Sequence, residues 1–314
     1  MFSKYKYVHA LYKEGSFTKA AEKLFISQPS LSAAIKNIEK NIGAPLFERT
    51  GTGVVPTDVG NVYIQSVEKI VNIENECIKE IGDIYSLETG SIAVGGTNYL
   101  SSYVFPKVAN KFTVLYPNIS VTITEAHSDK LSEMLRNDEI DLMIDSFDEN
   151  IEQYEGYPLI NEKLILCVPI GREINKKLEG CFLYPEDIYS GKKSIDDVPE
   201  VPIEMFRKES FIALKKGNDM YARAMEIFKK ADISPKITFS VDQMNVAYAM
   251  AESGTGLCFA TDTLFKYGKF FNDIALYNIG ETSGKRTLYI AHKKSRYCTI
   301  AMKKFIEVTE DIIK

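Results

Sequence analysis

The chain has no tryptophan among its 314 residues, only three histidines and only five cysteines. Cys77, Cys167, Cys181, Cys258 and Cys298 lie far apart with no C-x-x-C pair, which excludes a disulfide framework and reads as reduced thiols. His9, His127 and His292 fall at no metal-ligand spacing, alone or with the cysteines, so neither a metal nor another cofactor is expected. P-loop, G-x-S-x-G and H-E-x-x-H sequences are also missing, so no catalytic residue is assigned and no enzymatic activity is expected. The opening MFSKYKYVHA lacks the apolar stretch of a signal peptide, and no run reaches the ~20 apolar residues of a membrane helix. These absences point to a soluble, cytoplasmic protein with no membrane partner.

What is present is a chain 45% apolar and long enough for two or three domains. Its charge is uneven. Residues 1–60 carry eight Lys and Arg against five Asp and Glu, a balance of +3 that leaves −8 for the rest of a chain whose net charge is −5. A mildly basic head on an acidic body suits a nucleic-acid module attached to something else.

That head contains two short amphipathic patterns between Ser16 and Phe47. Phe17, Ala20, Ala21 and Leu24 share one helical face, and Leu31, Ala34, Ile35 and Ile38 share the next. Ser16 is placed to cap the first, Pro29 suits the first turn of the second, and Gly43 is its stop. Two helices on so short a turn form a helix-turn-helix, whose second helix can enter a DNA major groove. The run from Leu46 to Thr57, with Gly51 and Gly53 between short extended stretches, predicts a hairpin or wing.

From Asp58 to about Leu87 the pattern is one long helix. Ile64, Val67, Val71, Ile78, Ile81 and Tyr85 form a stripe, widened by Tyr63, Ile70, Cys77 and Ile84. Such a stripe predicts pairing with a second helix. Beyond Gly90, strands alternate with helices, which implies parallel sheets. The stretch Glu173–Val201, rich in Lys, Asp, Glu and Gly, reads as a surface excursion with some structure of its own and no assigned role.

Taken together, Ser16-Phe17, Ala20-Ala21, Leu24, Ser27-Gln28-Pro29-Ser30-Leu31-Ser32, Ile35, Glu39, Gly43, Leu46-Phe47, Arg49, Thr57 and Gly60 resemble the N-terminal signature of the LysR-type transcriptional regulators. The likeness is gap-free over about sixty residues. It continues more weakly through Phe105-Pro106, Tyr116-Pro117, Asp141-Leu142 and Gly254-Thr255-Gly256. The resemblance implies an α+β multidomain chain. A winged helix-turn-helix would span 1–60, a linker and dimerisation helix 61–89, and a two-lobed α/β periplasmic-binding-protein-like effector domain 90–314. Lobe I would comprise 90–166 and 269–314, and lobe II 167–268.

The expected partners are double-stranded promoter DNA, an anionic small-molecule effector, further copies of the chain in a homodimer or homotetramer, and RNA polymerase if the protein activates. For DNA, Gln28 and Ser32 are the candidates for base edges, Pro29 for a thymine methyl, and Thr18, Ser30, Lys36 and Arg49 for phosphates. Ala33, Ala34 and Thr52 stand where many relatives carry more polar or basic residues. Fewer guanidinium groups imply an A·T-rich site and reliance on several modules binding together. For the effector, helix starts and strand ends nominate Thr97, Tyr99, Ser101, Ser128, Asn218 and Asp242, with Ser102, Asp219 and Gln243 beside them. The alternatives are a cytosolic solute-binding protein, or an enzymatic α/β protein with an appended regulatory domain.

Overall fold

The computed structural model describes residues 4–51, 53–84, 90–146, 152–280 and 286–313. It divides into two compact units, Met1–Ile84 and Tyr85–Lys314.

In the first unit, helices α1 (Tyr5–Glu14), α2 (Phe17–Lys23) and α3 (Gln28–Ile42) precede an antiparallel hairpin, β1 (Phe47–Thr50) with β2 (Gly53–Pro56), and the long helix α4 (Asp58–Ile84). Val8, Leu11, Ala20, Ala21, Leu31, Ile35, Ile38 and Leu46 form its core. Each large side chain buried here stabilises the unit by about 1.5–3 kcal/mol. Gly15 and Gly43 end α1 and α3 in the left-handed conformation that only glycine adopts cheaply. Ser27 caps α3 by accepting from the Ser30 N–H at 3.3 Å. Ser16 departs from expectation, making no side-chain cap bond to α2.

The expected stripe on α4 divides. Ile64 and Val67 are buried, Ile64 within the core of its own unit, so they present no pairing face. Farther along it, Ile78 and Ile81 are exposed, as is Ile73, which lies outside the expected stripe. The reason is local: α1 lies against α4, tied by Lys13–Glu68 at 3.2 Å and Lys6–Glu74 at 3.1 Å, and covers only the first part of the helix. Tyr85, the Ile84 side chain and the expected linker end at 85–89 lie outside the described residues, as does Thr52 in the hairpin turn.

The second unit holds two sheets. The first takes β3 (Gly90–Gly96), β4 (Ile119–Glu125), β5 (Leu142–Ser146), β6 (Tyr154–Glu162) and β13 (Arg286–Lys293) in the order β4-β3-β5-β13-β6. Around it lie α5 (Asn98–Tyr103), α6 (Phe105–Leu115), α7 (Ser128–Arg136) and α13 (Ile300–Ile313). The second sheet takes β7 (Leu164–Pro169), β8 (Phe182–Leu183), β9 (Ser210–Leu214), β10 (Lys236–Val241), β11 (Leu257–Thr261) and β12 (Ile274–Tyr277) in the order β10-β9-β11-β7-β12-β8. Its helices are α8 (Glu173–Lys177), α9 (Pro185–Tyr189), α10 (Asp219–Lys230), α11 (Met244–Glu252) and α12 (Asp262–Tyr267).

Three expectations need correction. Pairing is parallel for β3 with β4 and β5 and for β9 with β10 and β11, but antiparallel where β7, β12 and β13 enter. β7 and β13 are the first strands entered after each crossing between sheets, so their direction is not set by a strand–helix–strand repeat, whereas β12 follows β11 through α12 and runs the same way, antiparallel to β7. The lobe boundaries also shift. The chain leaves the first sheet at Lys163, between β6 and β7, and returns only after Tyr277, because β12 pairs with β7 and β8. Finally, Glu173–Val201 is no mere excursion. It contributes β8 to the sheet edge and buries Leu183, Ile188, Ile195 and Val201. Asn175 fixes it by accepting from the Tyr277 hydroxyl at 2.8 Å and donating to the Pro169 carbonyl at 2.8 Å.

Candidate functional site

In the first unit, α3 begins at Gln28, with Pro29 second, where its missing N–H costs nothing. Leu31, Ile35 and Ile38 turn inward, so Gln28, Ser32 and Lys36 run one helical turn apart along an adjoining stripe. Gln28 and Ser32 are half-buried, while Pro29, Ser30 and Lys36 are exposed. The Ser30 hydroxyl is 2.7 Å from that of Ser27, so it has a structural task in the cap as well. Thr18 is exposed in the first turn of α2. Arg49 is exposed on β1, its guanidinium 5.6 Å from the Phe17 ring centre, so hairpin and α2 meet there. The entry to the hairpin is set by Glu39, whose Oε1 accepts from the Leu46 N–H at 2.8 Å and the Phe47 N–H at 3.3 Å. Phe25, in the α2–α3 turn, is 95% exposed at φ +57. Sequence patterning treats it only as a turn residue. An exposed aromatic held in a costly backbone region beside a recognition helix is a contact candidate in its own right.

In the second unit, a cavity of about 470 Å³ opens between the two sheets. It lies where β3, β5 and β9 end, the place where parallel α/β sheets present ligand sites. The first sheet's side supplies Thr97, Asn98, Tyr99, Ser128 and Ser146, and the other side supplies Asn218, Asp219 and Gln243. Arg286, at the start of β13, completes the lining. Thr97 Oγ1 and Asn98 Oδ1 are buried without a hydrogen-bond partner among the described residues.

Behind the cavity lies a charged cluster built from both sheets. Glu162 is fully buried at the end of β6. Its Oε2 accepts from the Tyr99 hydroxyl at 2.8 Å and the Thr263 hydroxyl at 2.8 Å. Its Oε1 accepts from Arg286 Nε and lies 3.8 Å from Arg223. Burial alone would lower the Arg286 pKa, but the Glu162, Tyr99, Asp145 and Asp219 oxygens outweigh it and raise it. Arg223 goes the other way, lowered by burial and by the neighbouring Arg286 charge. Burial raises Tyr99 well above the usual phenol range, with Glu162 adding to the effect. Asp145, nearly enclosed beside Ser128 and Ser146, is raised by burial against the pull of Arg286. Among the described residues no group of three or more His, Cys, Asp or Glu could hold a metal, and no helix is long and apolar enough to cross a membrane.

Comparison with known proteins decides the family. Residues 2–61 match the bacterial regulatory helix-turn-helix protein of the lysR family, and residues 86–312 match the LysR substrate binding domain. The chain belongs to the LysR family. Its relatives include the uncharacterized HTH-type transcriptional regulator YcgK of Bacillus subtilis, 26% identical over 98% of this chain and 94% of that one. Solved structures sharing the fold include full-length CbnR complexed with target DNA, with a TM-score of 0.65, 19% identity and 99% of each chain covered. A full-length OxyR variant from Pseudomonas aeruginosa gives a TM-score of 0.69 at 20% identity, covering 100% of this chain and 94% of that one. The LysR-family chain is thus a ligand-responsive, DNA-binding transcriptional regulator, with a helix-turn-helix domain and an effector-binding domain. It is a regulator rather than an enzyme.

Within this LysR-family effector domain, Thr97, Tyr99, Ser128 and Asn218 share the cavity wall, as do Asp219 and Gln243. Ser101 and Asp242 do not line it. Ser101 donates to the Gly96 carbonyl at 3.3 Å, bracing the strand-to-helix turn. Asp242 is exposed and paired with Lys215 at 2.8 Å, one residue short of the wall. Tyr99 faces the cavity, yet its hydroxyl is committed to Glu162. Sequence reasoning missed Arg286, Glu162 and Arg223 altogether. Glu162 lies between Asn161 and Lys163, Arg286 follows Lys285, and Arg223 shares a helix with Asp219 and Glu226, so none stands out as a lone charge, and nothing in the sequence joins positions more than sixty residues apart.

Proposed function

We propose that this regulator binds promoter DNA through residues 1–60 as a pair or a pair of pairs. Gln28 and Ser32 read base edges, Pro29 meets a thymine methyl, and Thr18, Ser30, Lys36 and Arg49 hold phosphates. The observation that carries this reading is the exposed start of α3, with its polar stripe beside a buried apolar face and a hairpin arginine close by. Exposed Ile73, Ile78 and Ile81 favour α4 as the joining helix, 61–89 acting as linker. The missing arginine at Ala33 and Ala34 favours an A·T-rich site and avidity between modules. The effector is an anionic small molecule seated between the lobes, which biases the geometry of the paired DNA heads. The protein acts in the cytoplasm and, where it activates, touches RNA polymerase.

Titration of the full-length protein with fragments of its own promoter, at several salt concentrations, tests the DNA reading. The expected result is affinity that falls steeply with salt, with Q28A changing site preference and K36A weakening all sites alike. Equal binding of all sequences by wild type and Q28A would remove Gln28 from base reading.

A further inference from the structure

Arg286 is placed where the chain returns from the second sheet to the first. Its Nη1 donates to Asp219 Oδ2 at 2.6 Å and to Ser146 Oγ at 3.1 Å, and its Nε to Glu162. Among the described residues nothing accepts from Nη2, and Arg286 lines the cavity. On release of Asp219, Nη1 and Nη2 together form a fork suited to a carboxylate.

The two carboxylates on Arg286 are unequal. Glu162 is fully enclosed, and losing its cation would strand a buried charge. Asp219 is 48% exposed at its side chain and is the first residue of α10, on the opposite side of the cavity. If released it regains water, stays at a helix start where negative charge is favoured, and has Arg223 within 4.0 Å one turn along. The Asp219–Arg286 pair is thus the contact across the cavity that exchanges at least cost.

We propose that Arg286 anchors the carboxylate or similar anionic group of the effector, and that Asp219 holds that place in this structure as an internal stand-in, latching α10 to the first lobe until the effector replaces it. This rests on the effector-binding reading of the cavity. It adds the anchor, the ligand's charged group and the device by which binding loosens one lobe from the other. An effector must outcompete Asp219, so removing Asp219 strengthens anion binding, whereas a purely structural ion pair would leave binding unchanged.

The test uses full-length protein, with propionate as the anionic probe and propionamide as its neutral match, titrated by NMR at constant ionic strength. D219A is expected to bind propionate at least five-fold more tightly than wild type, and neither should respond to propionamide. Arg286 also neutralises Glu162, so R286Q risks misfolding. R286K keeps the charge but not the fork, and is expected to fold yet bind propionate at least five-fold more weakly. Hydrogen exchange over 219–223 should quicken with propionate in wild type and be quick already in D219A. The proposal is overturned if D219A binds no better than wild type, if folded R286K binds as well as wild type, or if propionate binds no variant. A metabolite library screened on the wild type separates the two levels of the claim. Neutral binders without acidic ones remove the anchor but leave an effector site, whereas no binder at all removes the effector reading beneath it.

Discussion

Replacing Gly60 by alanine sets two effects of opposite sign against each other. Alanine is the better helix former by up to about 1 kcal/mol, and less in a first turn, where Gly60 sits. Against that, a Cβ at Gly60 would stand 1.9 Å from the Leu46 carbonyl oxygen, 2.9 Å from its carbon and 3.3 Å from Pro56 Cβ. The first two are backbone atoms, so no side-chain rotation relieves them. Nor can the carbonyl retreat freely. Leu46 O accepts from the Thr57 N–H at 3.0 Å, while the Thr57 hydroxyl donates to the Pro45 carbonyl at 2.7 Å and accepts from the Gly60 N–H at 3.0 Å. Relief requires α4 to move off the hairpin, breaking two or three of these bonds at about 1 kcal/mol each, on top of about 1–3 kcal/mol of overpacking strain.

The expected net loss is about 2–6 kcal/mol, in a unit whose size suggests a total of only about 4–12 kcal/mol. Gly82, in the same helix, is the matched control: a Cβ there meets nothing within 4 Å, so G82A should be neutral or stabilising by a few tenths of a kcal/mol up to about 1 kcal/mol. Hydrogen exchange of peptides spanning 17–42 and 46–60 in the full-length protein reads the local stability of this unit directly. G60A should accelerate exchange there by about thirty-fold or more and weaken promoter binding, while G82A leaves both unchanged. Equal exchange in the two variants would refute the seam between Gly60 and Leu46 as the element that fixes the hairpin.

Burial, the main cause, raises the Asp262 pKa to about 6 against the usual 3.8, with Glu162 also raising it and the Lys163 and Thr263 N–H groups pulling it down. A raised carboxyl favours folding while protonated, so its stability contribution is lost as pH rises from about 4 to 6. D262N, which keeps the acceptor for Lys163 N–H, should therefore stabilise the protein above pH 7 by on the order of 3 kcal/mol and match wild type near pH 4. Parallel stability–pH curves from thermal melts would contradict this. Cys167 and Cys258 are paired across β7 and β11 and fully buried, and burial, with each other's proximity, pushes the Cys167 thiol well up. These two should react with a thiol reagent only in denaturant; their prompt modification in the native protein would refute the assignment. I78E combined with I81E should leave the chain folded but monomeric in sedimentation, whereas an unchanged mass would remove the α4 face from assembly.

Local signals carried the first unit. Short-range periodicity, a Ser27 cap and a left-handed Gly43 specify α3 within fifteen residues of sequence, so the exposed start of that helix was readable before any fold was known. The cavity was readable only in part, for a reason visible in β6. Tyr154–Glu162 contains Gly156 and Pro158, which mark a turn by local chemistry, yet it is a nine-residue strand. It tolerates the proline because it is a sheet edge, and the β13 register slips between Leu288 and Tyr289, at the step that reaches Pro158. The same turn-like chemistry disguises the strand's last residue, Glu162, and with it the cluster that Arg286, Arg223, Tyr99 and Thr263 share. Thr97, Ser128 and Asn218 were legible because each lies at a helix start that its own neighbours announce. Arg286 was not, since its role depends on a carboxylate 124 positions away and another 67 away, brought together by two crossings between sheets. In this chain, the groups that shape the cavity wall are encoded locally, while the charges that can be exchanged there are encoded by topology.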